Sequence, residues 1–155
     1  MRADILNPFL AATGEVFRTM AGLEPRRGTP RLKGSEDACF DVSGVVGLTG
    51  QVQGFVALSF GRSAAFHVVG AFRGEAVAAV DEEVKDAVGE LTNMVAGGAK
   101  RTLAEAGYDL RISIPSVIVG PGHTISRPRG VPCFEIPFET EAGSFSVELC
   151  LRLEL

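Results

Sequence analysis

Between residues 81 and 107 the apolar positions recur with the period of a helix. At about 100° per residue, Val84, Val88, Leu91, Val95, Thr102 and Ala106 fall on one stripe, the predicted buried face. The opposite stripe carries Asp86, Glu90, Asn93, Gly97 and Lys100. Asp81 stands where an N-cap belongs, Glu82 and Glu83 follow in the first turn, and Gly107 stands where a left-handed stop would end the helix. Glu90 and Asn93, three apart, lie side by side on the predicted solvent face. Gly89 and Gly97 are expected to flank them on that face. A glycine within a helix costs about 1 kcal/mol relative to alanine. Core packing cannot offset that cost on a solvent face, whereas a flat surface against which another molecule docks would account for it.

The remaining pattern predicts a sheet for this helix to cover. A first helix is predicted over residues 7–21, with Asn7 as cap, Pro8 in the first helical position, and Phe9, Ala12, Thr13, Val16, Phe17 and Met20 buried. Residues 22–37, with Pro25, Gly28, Pro30 and Gly34, read as an exposed loop. Strands are predicted over 38–46 and 51–60, joined around Leu48-Thr49-Gly50. Ser63 is the expected cap of a short helix over 64–72 that ends at Gly74, with His67 a packed or surface histidine inside it. Residues 109–114 alternate, break at Pro115 and resume over 117–119. Residues 120–130 are a loop in which His123 is expected to be solvated. No helix start follows to make that loop an anion cradle. Two strands joined by Glu141-Ala142-Gly143 close the chain. In the last one Phe145, Val147, Leu149, Leu151, Leu153 and Leu155 face one way and Ser146, Glu148, Arg152 and Glu154 the other, the pattern of a half-buried antiparallel strand. Pro132 and Pro137 suggest that its partner is an edge or carries a bulge. The fold class that follows is α+β: an antiparallel β-sheet with two long amphipathic helices packed on one face.

Composition narrows the function classes. The chain has 155 residues, 46% of them hydrophobic and 22% charged, which suits one globular domain over residues 1–155. A net charge of −4, with no basic run, argues against nucleic acid as a partner. The first residues lack a signal-peptide pattern, and no apolar run reaches the length of a membrane span. Cys39, Cys133 and Cys150 have no metal-ligand spacing and no histidine near them in sequence; reduced cytoplasmic thiols are the simplest account.

An exposed Glu and Asn at this spacing are, alone, ordinary solvated helix surface. Here they belong to a longer pattern. Asp86-x3-Glu90-x2-Asn93 followed by Pro115 resembles the signature of the CheC/CheX/FliY chemotaxis phosphatases. So do Asn7-Pro8-Phe9 with Ala12-Thr13 and Val16-Phe17-x2-Met20. The likeness continues in Ser43-Gly44-x2-Gly47-Leu48-Thr49-Gly50 with Gly54 and Ala57-Leu58-Ser59-Phe60, and in Ile114-Pro115-Ser116 with Gly120 and His123. It spans nearly the whole chain. The interval from Asn93 to Pro115 is one residue shorter than the family pattern, which reads as a loop difference. Ala12-Thr13-Gly14-Glu15-Val16 echoes Ala87-Val88-Gly89-Glu90-Leu91. In a chain rich in Gly and Ala this is either chance or a worn internal duplication. CheC carries two active-site helices, but here Arg18 stands where the second copy has Asn93, so the chain is more like CheX.

The resemblance implies a CheC/CheX-like fold, a cytoplasmic homodimer, and hydrolysis of the aspartyl phosphate of phospho-CheY. It makes Asn93 the residue that positions the attacking water and Glu90 the carboxylate that pairs with the regulator's active-site lysine. Asp86, Gly89 and Gly97 are expected at most to help docking. The chemistry is compatible with so small a site. A solvated carboxylate titrates at about 4.3, too low for an efficient general base at neutrality. An acyl phosphate is already activated, however, and the regulator supplies Mg²⁺ and a lysine, so a helper need only orient water in line. No cofactor or metal of the chain's own is expected. Two alternatives from other classes are a catalytically silent regulator-binding module and a structural protein associated with the flagellar switch.

Overall fold

The computed structural model describes residues 3–34, 37 and 39–154. One antiparallel sheet runs through it, with three helices on one of its faces. Helix α1 (Ala3–Ala21) leads into two short strands, β1 (Arg26–Arg27) and β2 (Arg31–Leu32). A hairpin of β3 (Val42–Gly50) and β4 (Val52–Phe60) follows, then α2 (Arg62–Arg73) and the long α3 (Glu82–Glu105). Strands β5 (Leu110–Ile112) and β6 (Ser116–Val119) precede the closing hairpin of β7 (Cys133–Thr140) and β8 (Gly143–Leu153). The sheet order is β1-β7-β8-β4-β3-β5, with β2 also on β7 and β6 also on β3. The α+β reading holds.

The main core lies between the sheet and the helices. Val42, Val46 and Leu48 of β3, Val52, Val56, Leu58 and Phe60 of β4, and Phe145, Val147, Leu149 and Leu151 of β8 alternate onto the helix face. Phe145 stacks on Phe17 of α1 at 4.4 Å between ring centroids and on Phe138 of β7 at 5.2 Å.

Several elements differ from the sequence expectation. Helix α1 begins before Asn7, and Pro8 sits inside it. The reason is tertiary: Ile5, fully buried, extends the stripe of Phe9, Ala12, Val16 and Phe17, and this offsets the single helical bond that Pro8 forgoes. Met20, expected in the stripe, is 41% exposed. Residues 22–37 contribute the short strands β1 and β2 on the outer edge of β7, and Lys33 among them is buried. The first long strand begins later than expected and continues through Gly50; Ala38, its expected start, and Leu155 lie outside the described residues. Ser63 does not cap α2. Gly61 holds the N-cap position, and the free Arg62 N–H donates to the Asp41 carboxylate at 2.8 Å, a partner remote in sequence. The stop at Gly74 is as expected, with a left-handed φ of 76°.

The last strand is buried on both faces from Phe145 to Cys150 rather than half-buried. It sits in mid-sheet between β7 and β4, so it offers no free edge. Its second face is covered by residues 120–132: Val131 and Ile125 pack with Phe55, Ala57, Cys133 and Cys150 in a smaller cluster behind the sheet. His123 is part of that cover and is half-buried, with both ring nitrogens engaged, rather than free in solvent. Its Nε2 lies 2.7 Å from the Ser43 hydroxyl and its Nδ1 2.7 Å from the Gly120 carbonyl, and Ser43 in turn donates to Ser59 at 2.9 Å. His67 is exposed on α2.

Candidate functional site

Helix α3 is set by its ends and by three close contacts. The Asp81 side chain accepts from the Val84 N–H at 2.9 Å, and Gly107 takes φ 96° just after the last turn. Thr92 presses into the sheet at Gly44: a Cβ on Gly44 would stand 2.1 Å from Thr92 Oγ1 and 3.0 Å from the Val88 carbonyl. Only a glycine in β3 lets the helix lie this close. On the α1 side, a Cβ on Gly98 would stand 3.1 Å from that of Ala12. On the β6 side, one on Gly89 would meet Val117 at 3.4 Å and Pro115 at 3.5 Å.

These contacts fix which face remains free. Glu90 and Asn93 are both exposed, as is Asp86. Among the described residues none of the three makes a hydrogen bond or ion pair. Glu90 borders a shallow hollow between α2 and α3, lined by Phe72, Arg73, Glu83, Asp86 and Ala87, where Arg73 bonds Glu83 at 2.9 Å. Asn93 borders a groove of about 570 Å³ between α1 and α3, with Gly97 and Gly98 in its floor and Met20, Met94 and Arg101 on its walls. The pair therefore crowns a ridge with a depression on each side. A carboxylate and an amide so placed can receive a cation and a water from a docking partner, and no described side chain bonds to them.

Gly97 is half exposed and opens onto the groove, with only the Arg101 guanidinium, at 4.0 Å, near an added Cβ. Gly89 is not on the solvent face. It is buried beneath Pro115 and Val117, because the chain returning through β6 covers that flank of the helix. The expected buried stripe also shifts: Thr102 and Ala106 are exposed, while Ala99 and Leu103 take their place in the core. Thr102 lines the α1–α3 groove, so the periodicity located an apolar stripe but not which neighbour covers it. Sequence reasoning missed Gly44 and Thr92 as the seat of the helix. The signal available was a glycine inside a strand-like run, which marks a close backbone approach.

Among the described residues no group of three His, Cys, Asp or Glu side chains is arranged to hold a metal ion, and no helix is long and apolar enough to cross a membrane.

Comparison with known proteins follows this geometry. The family model for the chemotaxis phosphatase CheX matches residues 42–139, a span containing Glu90, Asn93 and Pro115. The chain is 32% identical over 121 residues to the CheY-P phosphatase CheX of Thermotoga maritima, covering 77% of this chain and 78% of that protein. The crystal structure of the chemotaxis protein CheX from Desulfovibrio desulfuricans matches with a TM-score of 0.87 and 44% identity, over 96% of this chain and 99% of that one. The CheX–CheY–BeF3–Mg²⁺ complex from Borrelia burgdorferi contains a match with a TM-score of 0.81 and 30% identity, over 97% of this chain and 99% of that one.

Proposed function

This chain belongs to the CheX family of chemotaxis phosphatases, and from that premise we infer that it hydrolyses the aspartyl phosphate of a phosphorylated CheY-type response regulator. The observation that carries the reading onto particular residues is the ridge of α3. Glu90 and Asn93 stand exposed there, three residues apart, with no side-chain hydrogen bond or ion pair to another described residue. The similarity to a CheX solved together with CheY supports a regulator as the molecule that fills the space above that ridge.

In our reading Asn93 orients the attacking water, accepting one of its hydrogens through the amide oxygen and donating to it through the amide nitrogen. Glu90 pairs with a lysine in the regulator's active site and fixes the regulator's position over Asn93. The regulator brings the Mg²⁺ that neutralises the phosphoryl oxygens, and this chain adds no metal. Asp86 and Gly97 border the docking area; Gly89 is removed from it by its burial. The whole chain acts as one cytoplasmic phosphatase domain, and its family likeness makes a homodimer the expected assembly. The closing strand lends the dimer no support, since β8 lies inside the sheet. A monomeric mass in light scattering at micromolar concentration would contradict the dimer and leave the phosphatase assignment standing.

The deciding experiment follows the decay of a phosphorylated regulator with and without the protein. Asn93→Ala should lose on the order of 10²-fold or more in rate while folding normally. Glu90→Ala should act mainly by raising KM. Full activity in both variants would reject the site. Regulator binding without faster decay in the wild-type protein would make it a silent binding module. Elemental analysis finding a stoichiometric metal held by Glu90 would overturn the mechanism.

A further inference from the structure

Behind the sheet, on the face away from the helices, Cys133 of β7 and Cys150 of β8 are direct cross-strand partners. Backbone directions define what kind of pair they form. In a strand the N–H and C=O of one residue point to the same side. The Cys133 carbonyl accepts from the Lys33 N–H at 2.8 Å, on the β2 side, and so points away from β8. The Cys150 carbonyl points the other way, into β4, where a Cβ on Gly54 would stand 1.7 Å from its oxygen. Neither residue therefore spends its backbone on the other. This is the non-hydrogen-bonded type of antiparallel pair, in which the Cα atoms approach to about 4.5 Å and the side chains are closest. That separation lies within the roughly 4.4–6.8 Å over which disulfides form.

We propose that Cys133 and Cys150 are a redox modification site, a dithiol that closes to a cross-strand disulfide and so ties β7 to β8 behind the functional face. Both thiols are free and buried, and residues 120–132 cover them. Val131, which packs with both, also lines an open surface hollow formed by residues 127–132. Nothing in the geometry of the pair distinguishes the two sulfurs, and the chemistry is the same whichever attacks first. The hydrogen bond from the Cys133 S–H holds the Cys150 thiol below the ordinary range against the opposing effect of burial, and the nearby Arg127 adds to this. That same hydrogen bond, with burial, pushes Cys133 up. Cys39 stands apart: its S–H donates to Glu148 at 3.3 Å, and burial raises it further.

The step balances with a hydroperoxide as oxidant. One thiolate of the pair attacks one peroxide oxygen, the O–O bond breaks, and with one proton taken up a water leaves behind a sulfenic acid. The other sulfur then attacks the sulfenic sulfur, the S–O bond breaks and a second water leaves. Two thiols are oxidised by two electrons and one peroxide is reduced to two waters.

The test treats the purified full chain with hydrogen peroxide, unfolds it, alkylates the free thiols and measures intact mass. One alkyl group per chain instead of three is expected, on Cys39, with peptide mapping joining Cys133 to Cys150 and dithiothreitol restoring all three. Cys39→Ser should still form the bridge and end with no alkyl group. Three alkyl groups after oxidation, a bridge involving Cys39, or a bridge between two chains would each overturn the proposal. The wild-type measurement depends on no variant folding. Phosphatase activity is read separately, so failure of the bridge and failure of the regulator assignment cannot be confused.

Discussion

A side chain added at Gly97 would meet only the flexible end of Arg101, whereas at Gly89 the Cβ alone would already touch Val117 and Pro115, so a longer side chain would press on them. The two glycines, both expected from the sequence on the solvent face, therefore have opposite expected outcomes. Gly97→Ala should raise stability by roughly 0.5–1 kcal/mol from helix propensity alone. Gly97→Gln should keep its melting temperature but raise the KM for the phosphorylated regulator, because the added chain fills the groove beside Asn93. Gly89→Gln should melt at lower temperature, since Pro115 must move to admit it. Measuring melting temperature and regulator decay on the same variants separates these effects, and an unchanged KM in Gly97→Gln would reject docking at that groove. At this scale the exposure of Glu90 and Asn93 was legible because period 3.6 places them opposite Val88, Leu91 and Val95. The burial of Gly89 was not, because it comes from Val117 of β6 and from Pro115 just before it, and helical periodicity carries no information about a strand that returns to the helix.

Helix α3 as an element depends on its cap and on its seat. Asp81→Ala removes the acceptor for the Val84 N–H and should cost about 1 kcal/mol in chemical denaturation. Gly44→Ala is expected to cost more, about 1–3 kcal/mol, because the new methyl and Thr92 Oγ1 cannot both stay where they are. Adding Thr92→Ala should recover part of this but not all, as the Val88 carbonyl remains 3.0 Å away. If Gly44→Ala proved neutral, the seat would not be what sets the helix on the sheet. Element types were readable from pattern and turn residues, while boundaries failed where a distant partner intervened. Ile5 pulls the start of α1 past Asn7, Asp41 takes over the capping expected of Ser63, and β7 recruits two strands from residues 22–37 that have no apolar alternation of their own.

The molecule as a whole is a sheet with two different sides. The helix side is apolar and its outer surface carries the ridge; the other side holds a buried charge pair in which Lys33 bonds Glu148 beneath residues from the loops. Burial pushes the Lys33 ammonium down, but the hydrogen bond and charge of Glu148 outweigh it and hold it above the ordinary lysine value of 10.5. The stability this contributes is complete below 10.5 and is lost as pH rises through the elevated folded value. Alkaline titration of the wild-type protein should therefore reveal a loss of stability that is absent in Lys33→Met. Lys33→Met leaves Glu148 buried without its partner and should cost about 3–5 kcal/mol at neutral pH, with much of that recovered by adding Glu148→Leu. None of this second side was legible in sequence, because alternation along β8 marks Glu148 as the wet face and says nothing of a loop folded over it. The central position of β8 also has a kinetic consequence. Phe60 must find Phe145, and Val52 must find Leu153, across most of the chain. The β3–β4 and β7–β8 hairpins can close early and locally, but each then waits with one long apolar edge unpaired until the two meet. Refolding should therefore be slow for a chain of this size and prone to aggregation as protein concentration rises, with the joining of β4 to β8 as the step that ends the exposure.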